Sequence, residues 1–158
     1  MVLTREILRP MRWWRLGWGK VEEPRIEQLY LVHRHTGAIL QHALRLPEAL
    51  DEAAREELRG VGSMVTYLLA FLREPENLSH YLRLRMLRVE RFTYGFHGGD
   101  SCVLVSVIRT PHGVEVARKL EECDGIVGRI EAEHGRLLRD IGEHPGVQLP
   151  GMLPGFSS

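Results

Sequence analysis

Cysteine is scarce in these 158 residues: only Cys102 and Cys123 are present, in different predicted elements and without CxxC spacing. That pattern suits a reduced, cytoplasmic compartment better than a secreted, disulfide-built scaffold. Net charge is missing too. Twenty-one Lys and Arg balance twenty-one Asp and Glu, so no global field draws the chain to nucleic acid. No apolar run approaches the roughly 20 residues that span a bilayer, and the N-terminus lacks the continuous apolar stretch of a signal peptide. The usual phosphate cradles are absent: there is no GxxxxGK followed by Ser or Thr, and no GxGxxG. A GxSxG elbow is absent as well, so His97-Gly98-Gly99, which could otherwise supply oxyanion donors, has no partner nucleophile in the sequence. Ser63 and Ser101 read as structural, and the two thiols lie on apolar faces where cysteine is usually inert.

What is present is enough for one domain. The apolar fraction is 44% and the charged fraction 27%, which supports a real core without metal or disulfide staples. Charge is uneven locally. Residues 1–20 hold Arg5, Arg9, Arg12, Arg15 and Lys20 against Glu6, a net +4, so the remainder carries −4. The same leader contains Trp13, Trp14 and Trp18, every tryptophan in the chain. Arg9, Arg12, Trp13, Trp14, Arg15 and Trp18 are therefore the expected docking residues. Trp beside Arg suits an anionic membrane interface or a protein hot spot, and equally a segment folded back onto its own domain.

The organisation read from the pattern is a leader at 1–24, a domain at 25–142 and a Pro/Gly-rich flexible tail at 143–158. Arg25–Ala43 reads as a β-hairpin turning at Thr36-Gly37. With a two-residue turn, His33, His35 and His42 share one face. That face is open to three readings: a metal site, a partner-contacting or solvated surface, or a pH-sensitive interface. Nearby carboxylates or thiols to complete a metal site are lacking, so no metal is assigned. A helix is predicted from about Pro47 to Glu74, because Leu50, Ala54, Leu58, Val61, Val65, Leu68 and Leu72 recur at steps of three or four. Strands are predicted at about Leu82–Val89, Phe92–His97 and Ser101–Arg109, the last apolar nearly throughout as in a central strand. The final helix, from about Gly113 to Ile141, aligns Val116, Leu120, Cys123, Val127, Ile130, His134, Leu137 and Ile141. His134 reads as a packed histidine rather than a general base. The class is α+β, a five-stranded, largely antiparallel sheet with two long amphipathic helices, in the order ββαβββα.

That order and the segments that fill it resemble the Roadblock/dynein-light-chain family and its longin relatives. IEQLYLVHRHTGAIL is similar to their first hairpin, and GVGSMVTYLLAFL to a helix of a bacterial branch. FTYGFHGGDSCVLVSVIRT resembles the closing hairpin and IEAEHGRLL the last helix. The likeness spans roughly residues 25–142, with the basic leader standing where such proteins carry a helix. It implies a non-enzymatic adaptor without cofactor: a homodimer serving as a platform for a small Ras-like GTPase or its regulators. The alternatives are a cytoskeletal or membrane-associated scaffold with no GTPase partner, and a histidine-dependent metalloenzyme. The expected location is the cytoplasm, with peripheral membrane contact through the leader.

Overall fold

Strand-forming residues flanked by turn signals produce the first hairpin of the computed structural model, which describes residues 23–47, 49–111, 114–141 and 149–155. The leader residues Arg9, Arg12, Trp13, Trp14, Arg15 and Trp18 lie outside the described residues. The chain runs β1 (Arg25–His33), β2 (Ile39–Leu44), α1 (Glu52–Phe71), α2 (Pro75–Leu84), β3 (Met86–Val89), β4 (Phe92–Gly98), β5 (Cys102–Arg109) and α3 (Ala117–Asp140). The described residues are of the α+β class: a five-stranded antiparallel sheet and three helices. The sheet order is β2-β1-β5-β4-β3, so β5 is central and β2 and β3 are the edges. No described helix is long and apolar enough to cross a membrane.

The centre follows from alternation. Every residue of β5 from Cys102 to Ile108 is buried. Cys102, Leu104 and Ile108 face α3, together with Leu29 and Leu31 of β1. Val103, Val105 and Val107 face the opposite layer, where Val61, Val65 and Leu68 of α1, Leu72 at its C-terminal cap and Leu78 of α2 meet Phe92, Tyr94 and Phe96 of β4. A near-continuous apolar run is what a strand covered on both faces requires.

Several boundaries differ from the expected ones, each for a local reason. α1 starts at Glu52 rather than near Pro47, because the Asp51 carboxylate accepts the Ala54 N–H at 2.8 Å and caps the helix there. Leu50 is consequently exposed rather than part of the buried stripe. The predicted strand over 82–89 is helix in its first part. Pro75 occupies the first turn of α2 and Glu76 complements its positive end. Leu78, Tyr81 and Leu82 then fall on one helical face, with the Tyr81 ring centroid 4.9 Å from that of Phe96. The alternation of Leu82, Leu84 and Met86 straddles two elements, and Arg85, at φ +75°, makes the break. β3 is the short edge strand that remains. The order is thus ββααβββα.

In α3 the predicted stripe holds through Ile130 and then rotates: Leu138 is buried where Leu137 was expected, and His134 is half-buried. A pattern stepping by 3.5 drifts about 20° per heptad on a helix of 3.6 residues per turn, which moves the buried line over by one. The segment expected as a tail has no helix or strand over 149–155, yet it packs. Met152 is buried in the α3-side core, and Gln41 is bonded to both the Pro150 carbonyl and the Met152 N–H.

Candidate functional site

Three places in the described residues could carry function: the histidines of the first hairpin, a buried polar relay under α3, and a groove beside α1.

The histidine face is split by the register of the hairpin. A two-residue turn at Thr36-Gly37 would set His33 opposite Leu40. Instead the loop spans five residues, with Gly37 at φ +75° and the His33 N–H donating to the Ala38 carbonyl at 2.8 Å. An irregularity between Leu31 and Val32 then places His42 opposite Tyr30, not Leu31. One residue of slip reverses which face a side chain takes. His33 turns toward α3 and is buried, its two ring nitrogens bonded to Thr36 Oγ1 at 3.0 Å and the Leu138 carbonyl at 2.9 Å. Because a carbonyl can only accept, Nε2 carries a proton and donates to Leu138. His42 is exposed against Tyr30, their ring centroids 6.2 Å apart. His35 is exposed in the loop. Among the described residues no group of three or more His, Cys, Asp or Glu side chains is placed to hold a metal ion.

The relay joins four elements. Ser106 Oγ lies 2.8 Å from His97 Nε2, and His97 Nδ1 lies 2.8 Å from Asp124 Oδ1. Arg85, at the end of α2, donates to the other Asp124 oxygen at 2.7 Å. Burial pushes His97 below its ordinary value, against the pull of Asp124, so the ring is neutral with its proton on Nδ1. Burial also tends to raise Asp124, but the hydrogen bonds from His97 and Arg85 outweigh it and hold the carboxyl below its usual value. Burial pushes the neighbouring Cys123 thiol up to about 12, which leaves no thiolate to act as nucleophile. The bond order is that of a serine triad, but the access is reversed. Ser106 and His97 are both buried, and Asp124 is the member that meets solvent. Room is lacking as well: a Cβ on Gly95 would lie 2.5 Å from Ser106 Oγ and 2.6 Å from His97 Nε2. Gly95 is thus needed for the close approach of β4 to the serine of β5. The relay bonds α3 to the sheet. Sequence reading touched His97 only as part of a possible oxyanion loop and missed Ser106 and Asp124, which are unremarkable in their own segments and meet only through the fold.

The groove runs between α1 and the β3–β4 turn, with a volume of 710 Å³. Its apolar floor includes Val61, Met64, Tyr67, Phe92 and Tyr94, and its rim carries Glu56, Glu57 and Glu90 against Arg91. Burial, with Glu90 adding, pushes the Tyr94 phenol up to about 12. Arg109 closes one end, bonded to Glu57 of α1 and at 3.2 Å to Glu27 of β1, with its guanidinium 4.9 Å above the Phe92 ring. From the other end an aromatic ladder descends into the core. Tyr67 stacks on Phe71 (5.7 Å), Phe71 meets Tyr81 edge-on (5.7 Å), and Tyr81 reaches Phe96. Exposed apolar side chains form two groups. Ile39, Leu44, Leu46 and Leu50 follow the β2 side, and Tyr67, Leu84, Met86 and Val89 follow the β3 side. The second group adjoins the groove, which Tyr67 and Val89 both line.

No protein-family model, no curated protein and no solved structure matches this chain.

Proposed function

We propose that this chain is a non-enzymatic adaptor: an α+β platform that pairs with a second copy and presents a surface to a protein partner. The observation that carries the reading is the β3 margin. Among the described residues β3 is an edge strand with no neighbour on its outer side, and exposed Tyr67, Leu84, Met86 and Val89 accompany it. An unpaired edge with apolar flanks favours addition of another strand, and soluble proteins rarely leave one uncovered. The five-stranded antiparallel sheet is compatible with a longin-like fold, and the Roadblock-like segments of the sequence suggest a small Ras-like GTPase as the partner class. A hydrolase reading would rest on Ser106, His97 and Asp124, and the burial of Ser106 weighs against it.

Light scattering tests the pairing. The expected result is the mass of a dimer at about tens of micromolar, an ordinary range for weak association, shifted to monomer by Val89→Lys. A monomer for the unaltered chain at that concentration defeats it. Capture from lysate loaded with either GDP or a non-hydrolysable GTP analogue tests the partner class. Nucleotide-dependent recovery of a GTPase supports the platform, and recovery of none in either state leaves a scaffold without a GTPase.

A further inference from the structure

We propose that residues 1–20 of this chain occupy the groove between α1 and the β3–β4 turn of the same molecule, as an internal ligand that a partner must displace. Leader docking rests on reading this surface as a docking surface. Its chemistry is set by composition. The leader brings three tryptophans and a net +4, and the rest of the chain is −4. The groove offers the complement, an apolar and aromatic floor with three carboxylates on its rim against Arg91. Two of those carboxylates have partners. Glu57 is held by Arg109, and Glu56 by Arg59 across an exposed pair. Exposed ion pairs contribute little, so an incoming arginine exchanges with Arg59 at little cost. Glu90 stands in the β3–β4 turn over Tyr94.

Topology delivers the leader to this place. Arg25 at the start of β1 is paired with Arg109 on β5, and Arg109 is paired on its other side with Phe92 of β4. Two strand spacings separate Arg25 from Phe92, about 10 Å. The chain before Arg25 therefore issues at the groove end where Phe92 and Arg109 sit. Trp18 is seven residues upstream, a reach of up to roughly 23 Å when extended. Glu56 to Tyr67 covers eleven helical steps, about 16 Å. An extended leader is thus long enough to reach along the groove.

Because Trp13, Trp14 and Trp18 are the only tryptophans, emission from the intact protein reports the leader alone. The measurement is acrylamide quenching of the full chain, against a synthetic peptide of residues 1–20, at two protein concentrations bracketing dimer formation. The expected result is several-fold weaker quenching in the protein than in the peptide at both concentrations. Glu56→Lys with Glu90→Lys, and separately Met64→Asp, should restore quenching to the peptide's value. Circular dichroism confirms that the fold is retained. Exposure of Glu56 and Glu90 makes the double variant the safer of the two.

Four results overturn the proposal: freely quenched tryptophans in the unaltered chain, or protection that survives both groove variants. The others are protection that appears only as concentration rises, which makes the occupant a second copy's leader, and protection that appears only with phosphatidylserine vesicles, which makes it a membrane. A dimer with freely quenched tryptophans defeats leader docking and leaves the adaptor standing. A monomer with protected tryptophans does the reverse.

Discussion

On the α3 side of the sheet, helix and strands are joined by directed polar bonds as well as apolar contact. His33 reaches the Leu138 carbonyl, Asp124 reaches His97, and the Glu131 carboxylate accepts the Ser101 N–H at 2.6 Å and the Cys102 N–H at 3.3 Å. Residues 149–155 complete that layer through Met152 and Gln41. On the α1–α2 side the contact is apolar and aromatic, joined across the layers by Arg109 and Glu57, and it ends in an open groove with Tyr67 59% exposed. Polar bonds fix one geometry because each buried group must find its own partner. Apolar contact tolerates sliding and substitution. The α3 side is thus the layer with its position specified, and the α1–α2 side the one with surface left to bind with.

The largest effect should come from the core common to both layers. Leu104→Ala on the α3 side and Leu68→Ala on the α1 side each remove a fully buried side chain. Each should cost about 2–5 kcal/mol, by urea or thermal unfolding. A much smaller loss for Leu68→Ala would show that the α1 layer collapses around the gap, which sharpens the contrast.

A smaller effect is expected from the relay. His97→Ala leaves the Ser106 hydroxyl buried without its partner, at about 1–3 kcal/mol. The pH dependence supplies the diagnostic. His97 titrates lower in the folded chain than its ordinary 6.5, so the unfolded chain takes up a proton first as pH falls. Its contribution is full above that value and is lost as pH drops from there toward the folded value. Asp124, held below its ordinary 3.8, acts in the same direction at lower pH: its contribution is lost as pH falls through the folded value. Urea midpoints should therefore fall between pH 7 and pH 5 in the native chain and change less in His97→Ala. Equal slopes would remove the relay as the titrating element and with it the claim that α3 is polar-specified.

The smallest effect belongs to Tyr67→Ser, which removes an exposed ring stacked on Phe71. Stability should stay within about 0.5 kcal/mol, as for ordinary surface changes. A loss beyond 1–2 kcal/mol would make the ladder part of the core rather than of the docking surface.

Local chemistry determined a good deal of this protein by itself. The apolar run Cys102–Ile108 read as a strand covered on both faces, and the Val61–Leu72 spacing as one buried face of a helix; both formed so. A short loop over Gly99, Asp100 and Ser101 joins β4 to β5. The sequence also concentrates +4 and all three tryptophans in its leader, which makes that segment different in kind from the rest. Tertiary structure decided the remainder. The alternation of Leu82, Leu84 and Met86 was equally consistent with a strand, until packing of Tyr81 on Phe96 and the reversal at Arg85 divided it between α2 and β3. Neither the bulge at Leu31/Val32 nor the length of the His33–Ala38 loop is encoded in the two turn residues, so the fates of His33 and His42 depended on register across strands. Ser106, His97 and Asp124 lie on three elements, and the groove carboxylates on α1 and the β3–β4 turn. Proximities of that kind arise only when distant segments close on one core, where each contact depends on the sum of all the others.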